Sequence, residues 1–508
     1  MVDFNNILNN NILSIIIWLP IVTGILILLI NNKYFSKLVT PVGLINFILS
    51  LWLLKNFNIT THVMQFVEHY QLLPDFGICY SLGVDGFSVL IISLSCFVNV
   101  LTLIIGLHNN TDYRYLVYFI IMNGLINGVL TSNNALLFYM FFETTLIPLY
   151  LIIGIWGGEN RIYAATKFFL YTFAGSVLFL IAIVFLYSKA ITAGVEPVKS
   201  LELQSFYWLK LSLQEQIYLF VAFFIAFGIK IPIVPLHTWL PDAHVEAPTG
   251  GSVILAAITL KLGAFAMLRF LLPIATAACL LLSKFIIFTS LLGIIYIGFI
   301  SFVQKDIKKL IAYSSIAHMG FVTMGMFLVL PLIKDKSTDL AIASLNGALV
   351  QILSHGLIAA GLFFSAGFLY NRANTNQIKD FSGIANVMPV FSILFMIFCM
   401  ANIALPGTCG FVGEFLIILA SFKYNSFIAA GAASSLILAV SYTLGMYKKV
   451  IFGAINININ YLQDVDFKET VALISIALLI ILFGVWPAPV LDILNNSTLN
   501  LIKIMESK

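Results

Sequence analysis

Four ionisable residues stand inside long apolar runs of this sequence. Glu143 lies in ALLFYMFFETTLIPLYLIIGIW, Lys230 in FFIAFGIKIPIVPLHTWLPDAH and Lys261 in SVILAAITLKLGAFAMLRF, while Glu414 follows the break in ANIALPGTCGFVGEFLIILASF. A charged side chain at the middle of a membrane helix costs about 2.5–3.5 kcal/mol on insertion scales. No structural role obviously demands four such residues. Apolar surroundings favour the neutral form of a lysine or a glutamate, and a nearby opposite charge favours the ionised form. Moving one neighbour can therefore switch a lysine–glutamate pair between charged and neutral, which is what a proton relay requires. His237, His318 and His355 join the set, because an imidazole can accept a proton on one nitrogen and release one from the other near neutral pH. The structural alternatives are an ion pair that braces two helices, a brace or cap on the broken helix for Glu414, and a histidine bonded to a neighbouring carbonyl. Arg269, near the end of its run, reads as a side chain reaching for the interface and is given no function.

Other chemistries find little support. HTWLPDAH holds two histidines and an aspartate, but Pro241 interrupts the helix that would align them, so no metal site is assigned. No phosphate-binding loop is present, and GTCGFVG interrupts an apolar helix instead of following a strand, so it is no dinucleotide fingerprint. No cofactor site is assigned, and redox chemistry is expected in another chain. Cys79, Cys96, Cys279, Cys399 and Cys409 form no C-x-x-C pair and read as small apolar residues. The formal charge of +4 is scattered, with no basic stripe for nucleic acid.

The elements that position these groups must be membrane helices. The 508 residues are 61% hydrophobic and 9% charged, with mean hydropathy +1.03; a soluble protein carries about 25% charged residues. A backbone in lipid must satisfy its own hydrogen bonds, so the runs read as helices. The fold class expected is an all-α polytopic membrane protein with about fourteen spans, centred near Ile21, Phe47, Leu94, Met122, Leu146, Val177, Phe224, Thr259, Leu292, Val322, His355, Met396, Leu438 and Ala477. NILSIIIWLPIVTGILILLI reads as the first span, not as a cleavable signal. The longer connections are 56–87 and 189–215. The loops NNKYFSK, GGENRIYAATK, QKDIKK, NRANTNQIKD and YKK share one side and carry much of the Lys and Arg. That side is expected to face the cytoplasm or matrix, with both termini opposite, although KDKSTD and Lys423 run against the bias. Pro232 and Pro235 break one span, and Pro406 and Gly407 break another. Two interrupted spans in corresponding positions point to an inverted repeat whose discontinuous helices hold ions or water at mid-membrane. The expected division is 1–110, N-terminal helices; 111–272, a first repeat; 273–455, a second, inverted repeat; and 456–508, a last helix and tail. The abundance of Asn, Ile, Phe and Lys suggests an AT-rich gene, as in an organelle.

Four stretches, KIPIVPLHTWLPDAHVEAPTGGSVILAAITLKLGAF, DIKKLIAYSSIAHMGF, LPGTCGFVGEFLI and SHGLIAAGLFF, resemble the antiporter-like subunits of respiratory complex I over roughly residues 90–490. The Asn-rich start and INININYLQD lie outside the strong match. The resemblance implies two inverted five-helix repeats, Glu143 paired with Lys230, Lys261 central, Glu414 at the proton exit, and His237, His318 and His355 on a hydrated axis. Glu414 stands where sister subunits usually carry lysine, and the chain ends soon after its last span, without the long lateral helix of the largest sister. The implied activity is proton translocation as one subunit of NADH:ubiquinone oxidoreductase, whose NADH, FMN, iron–sulfur clusters and ubiquinone are bound by other subunits. Implied partners are the other membrane-arm subunits, above all flanking antiporter-like ones, and the lipid of the mitochondrial inner membrane or, alternatively, a bacterial plasma membrane. An Mrp-type Na+/H+ antiporter subunit shares these motifs, and a non-conducting scaffold is a third reading. A stand-alone solute carrier lacks support, since no substrate pocket is evident.

Overall fold

The computed structural model describes residues 4–30, 37–108, 112–454 and 462–508. NNKYFSK, apart from Lys37, and the INININY part of INININYLQD lie outside the described residues.

Among the described residues, twelve helices are long and apolar enough to cross a membrane, and two shorter apolar helices, Val39–Lys55 and Pro389–Asn402, hold the remaining expected centres near Phe47 and Met396. Polar residues set several starts. Ser212 and Glu215 form a capping box at the Leu213–Lys230 helix, Asp466 and Glu469 form another at Phe467–Val485, and Asp306 accepts from Lys309 N at the head of Ile307–Lys334. Large apolar side chains face outward, with Phe427 85% and Ile437 71% exposed, whereas Lys261 is 0% exposed. This inversion of the usual soluble pattern fits a lipid solvent. Thr338–Ala373 is the central column: its apolar window is wholly buried, as is that of Thr249–Ile274.

Each expected break is present. Leu213–Lys230 stops, and the chain resumes as Trp239–Glu246. The intervening turn keeps its backbone bonded: Ile233 N donates to Gly228 O at 2.8 Å, and the Trp239 indole donates to Ile229 O at 2.9 Å. Pro389–Asn402 stops, and the chain resumes as Cys409–Tyr424. There Gly407 takes φ +94°, a conformation that disfavours any side chain. A further interruption falls at Thr145, between Ala135–Thr144 and Leu146–Trp156. Two π-helical turns, Leu255–Thr259 and Met267–Leu271, flank the segment that carries Lys261. Such turns widen a helix locally and often mark functional positions.

Three features depart from the expectation. The connection 56–87 contains an antiparallel hairpin, Gln65–Leu73 with Ile78–Val84, so the chain is not wholly helical. Its Glu68 accepts from Leu13 N and Ser14 N, where the first helix kinks at Asn11. The tail forms a second helix, Ala488–Glu506, whose Ser497 hydroxyl accepts from Gly86 N at 2.9 Å. Arg269 does not point outward from the chain. Its side chain is buried and paired with Asp85 at 2.8 Å, and Tyr207 donates to its carbonyl at 2.9 Å. The reading as an outward-reaching side chain is thus corrected: the buried carboxylate of Asp85, the residue between the Ile78–Val84 strand and the Gly86–His108 helix, holds the guanidinium inside.

Candidate functional site

Four of the expected residues form one continuous chain of contacts. Lys261, between the two π-helical turns, places its ammonium 2.7 Å from His355 Nδ1 and against the Ala256 carbonyl. The lysine can only donate, so Nδ1 accepts and the ring's proton sits on the other nitrogen. The His355 and His318 rings lie with centroids 5.7 Å apart. His318 Nδ1 is 2.7 Å from Glu414 Oε1, and its Nε2 is 3.2 Å from Asn402 Oδ1. Both ring nitrogens of His318 therefore face oxygens. Gln351 donates to Glu414 Oε1 at 2.9 Å, and Asn402 donates to Thr443 at 2.9 Å. The four residues are between 0% and 6% exposed.

The fold explains this convergence. Lys261 comes from the buried Thr249–Ile274 run, His355 and Gln351 from the central column, His318 from the helix before it, and Glu414 from the first turns after the second break. Gly413 makes the last contact possible: a Cβ there would meet Gln351 backbone at 2.8 Å.

The other expected residues are placed differently. Lys230, 4% exposed, donates to Phe142 O at 3.2 Å and Thr145 Oγ1 at 3.3 Å, and stands 3.5 Å from the centre of the Phe142 ring. Glu143 is half-buried next to exposed Met140 and Ile147, and its Oε2 has no hydrogen-bond partner. The ion pair implied between Glu143 and Lys230 is not closed. Lys230 instead donates to the Phe142 carbonyl and the Thr145 hydroxyl, which are themselves bonded to each other at the Thr145 interruption. His237 is buried, with Nδ1 unpartnered, and makes no hydrogen bond to the four-residue chain. Pro232 and Pro235 lie in the first break, whereas Pro406 and Gly407 are exposed at the outer edge of the second.

Two groups escaped the sequence reading. His244 is 0% exposed, has both ring nitrogens unpartnered and stacks on Phe363 at 4.5 Å. Lys261 and Lys308 are both within electrostatic reach of it. Lys308 is buried, donates to Ala247 O at 2.9 Å and stands 5.4 Å from the Tyr370 ring. Tyr370 also lines a cavity of about 540 Å³ with Tyr115, Trp156 and Thr249. The signal for both residues was present: a histidine seven residues beyond His237, and a lysine heading an apolar helix. The sequence presents His244 only as a candidate metal ligand beside His237, and Lys308 as one of the basic residues of the QKDIKK loop. Among the described residues no group of three or more metal-ligating side chains converges, and the five thiols are buried and free.

The family model described as "NADH:quinone oxidoreductase/Mrp antiporter, TM" matches residues 132–439. NADH-quinone oxidoreductase subunit M of Rickettsia prowazekii is 43% identical over 500 residues, which are 97% of this chain and 98% of that one. NADH-ubiquinone oxidoreductase chain 4 of Marchantia polymorpha is 39% identical over 500 residues, covering 97% of each. A chain of the structure "Respiratory complex I from Thermus thermophilus with bound NADH" superposes with TM-score 0.86 at 29% identity, covering 97% of this chain and 99% of that one. With its interrupted membrane helices and buried chain of ionisable groups, this polytopic membrane protein belongs to the NADH:quinone oxidoreductase/Mrp antiporter transmembrane family.

Proposed function

We infer that this chain is a proton-translocating membrane-arm subunit of NADH:ubiquinone oxidoreductase, the respiratory complex I, and so part of an enzyme whose redox chemistry lies elsewhere. The observation that carries this reading is the buried sequence of contacts Lys261–His355–His318–Glu414, in a chain whose relatives over nearly their whole length are subunits of that enzyme. NADH, FMN, iron–sulfur clusters and ubiquinone are assigned to other subunits, and the flanking partners to other antiporter-like chains.

In the proposed cycle, quinone reduction elsewhere changes the charge of a neighbouring subunit. Glu143, at the outer edge of this chain, responds and alters the field at Lys230. The proton of Lys230 moves to Lys261 through water, then through His355 and His318 to Glu414, and leaves near the exposed second break. His237 is assigned to the water-filled part of the route beside the first break. Each crossing against 100 mV costs about 2.3 kcal/mol, so the route must never open to both sides at once. The basic loops face the matrix or cytoplasm, and the membrane is the mitochondrial inner membrane or a bacterial plasma membrane. The division at 110, 272 and 455 marks the two inverted repeats and their flanking helices.

The test is Lys230→Ala in sealed vesicles holding the assembled complex, with NADH oxidation and a pH-sensitive dye followed together. Joint loss of turnover and pumping supports the relay. Full retention of both removes Lys230 from it and favours a scaffold. The family description also names Mrp antiporters, and a strict sodium requirement for proton movement would favour that reading.

A further inference from the structure

A cluster of phenylalanines fills the space on one side of Lys230. Phe179 is its hub, with ring centroids 4.9 Å from Phe227 and Phe270, 5.8 Å from Phe142 and Phe223, and 6.0 Å from Phe138. Phe265 joins through Phe138 at 6.3 Å. The rings come from four separate helical segments, and none is more than 3% exposed. A cation stands over a ring at each end: Lys230 Nζ is 3.5 Å from the Phe142 centroid, and Arg269 Cζ is 4.9 Å from that of Phe265.

What lies beyond each end gives the cluster a direction. Arg269, paired with Asp85, lines a cavity of about 350 Å³ together with His62, Gln204, Tyr207 and Asn500. The cavity beside Tyr370 is lined by Pro248, Thr249 and Gly250. The two cavities therefore lie at opposite ends of the single buried run Thr249–Ile274, with Lys261 between them. A path of rings, Phe142, Phe138 and Phe265, runs from Lys230 to Arg269 at the edge of its cavity.

We propose that this aromatic cluster is the proton insulator of the relay, excluding water between Lys230 and the Arg269–Asp85 cavity so that charge can leave Lys230 only toward Lys261. A buried water needs two to four polar partners, and ring faces offer none. A ring can hold a cation over its face, yet it has no lone pair that accepts a proton and passes it on. The cluster thus stabilises the charge on Lys230 while closing the way toward the Arg269 cavity. This inference rests on the relay reading above.

The test uses sealed vesicles with the assembled complex carrying Phe179→Asn, Phe179→Leu, or Phe179→Asn combined with Lys230→Ala. Passive decay of an imposed pH gradient is measured with the complex idle, then the gradient built during NADH oxidation. The insulator predicts that Phe179→Asn speeds passive decay several-fold and halves the driven gradient while NADH oxidation continues. Phe179→Leu, apolar and of similar bulk, matches the parent. Adding Lys230→Ala removes the leak. Parental decay and a parental gradient in Phe179→Asn overturn the insulator, as does a leak that survives Lys230→Ala, because the cluster then guards something else. If Phe179→Asn does not assemble, Phe265→Asn at the cluster edge is read by the same criteria. The relay reading fails by a separate result, full pumping in Lys230→Ala alone, so the two failures are distinguishable.

Discussion

Lys261 faces His355 at 2.7 Å, and the partner is an imidazole, not a carboxylate. This choice of partner matters for transport. Transfer within a lysine–glutamate pair creates or destroys two charges in a low-dielectric interior. Transfer from an ammonium to an imidazole moves one charge and leaves the total unchanged. In the proposed relay the same holds for the next step, from His355 to His318, and Glu414, next to the second break, is the last group to receive the proton.

Replacing either partner should interrupt the route. Lys261→Ala and His355→Ala are each expected to lower NADH-driven pumping by about a hundredfold, at the lower edge of what a positioned proton-transfer group contributes. NADH oxidation with an artificial acceptor, which bypasses the membrane arm, should stay at the parental rate. Parental pumping in both variants would detach these residues from the route.

Arg269→Ala is expected to weaken the assembled complex. Removing the guanidinium takes the counter-ion from the buried Asp85 carboxylate, but its Oδ1 still accepts from Phe87 N, Ser88 N and Ser88 Oγ, so the expected cost lies below the about 3–5 kcal/mol of a fully uncompensated buried charge. Less complex should be recovered in membranes, with a lower thermal midpoint. Arg269→Met combined with Asp85→Asn should restore most of the loss, because asparagine removes the charge and keeps an acceptor for the Phe87 and Ser88 amides at the head of the Gly86–His108 helix.

Gly413→Ala tests the spacing at the exit. The added methyl meets Gln351 backbone at 2.8 Å, so two helices must separate and the Gln351–Glu414 hydrogen bond lengthens. Leaving a buried polar group without its partner costs about 1–3 kcal/mol. A lower thermal midpoint with reduced pumping is expected. The same yield and pumping as the parent would show that the contact is dispensable.

Glu68 supplies a pH dependence outside the membrane spans. Burial holds its carboxyl above the usual carboxylate range, and bonds from Ser14 and Leu13 oppose this only in part. The folded chain therefore binds this proton more tightly than the unfolded chain does. The stability so gained is full below the ordinary carboxylate range and is lost as pH rises through the raised value. Glu68→Gln keeps an acceptor for the Leu13 and Ser14 amides and removes the titration. Thermal midpoints should fall less steeply with rising pH in the variant; an unchanged slope would remove Glu68 as the cause.

The membrane class, the positions of the spans and the two breaks were legible because each rests on local physics. An apolar run of sufficient length has only the helix available in lipid, and prolines with glycine mark where it stops. Lys230, Lys261 and Glu414 stood out for the same reason, since a charge in an apolar run needs an explanation from its neighbours alone. The hairpin at Gln65–Val84 was not legible. Its alternation is short and carries an irregular register, and it sits in a chain where nearly everything is apolar.

Partnership was beyond the sequence. Glu143 and Lys230 suggested a closed ion pair; the two lie within electrostatic reach, yet the lysine hydrogen-bonds Phe142 and Thr145. Arg269 suggested a surface cation, yet Asp85 holds it inside. His244 and Lys308 gave no local sign of their burial. The sequence by itself determined which groups would be costly to bury and where helices must begin, break and end. Only the tertiary structure decided which buried groups meet, because a hydrogen bond depends on contacts of about 3 Å between helices far apart in the chain. Small residues such as Gly413 set that approach.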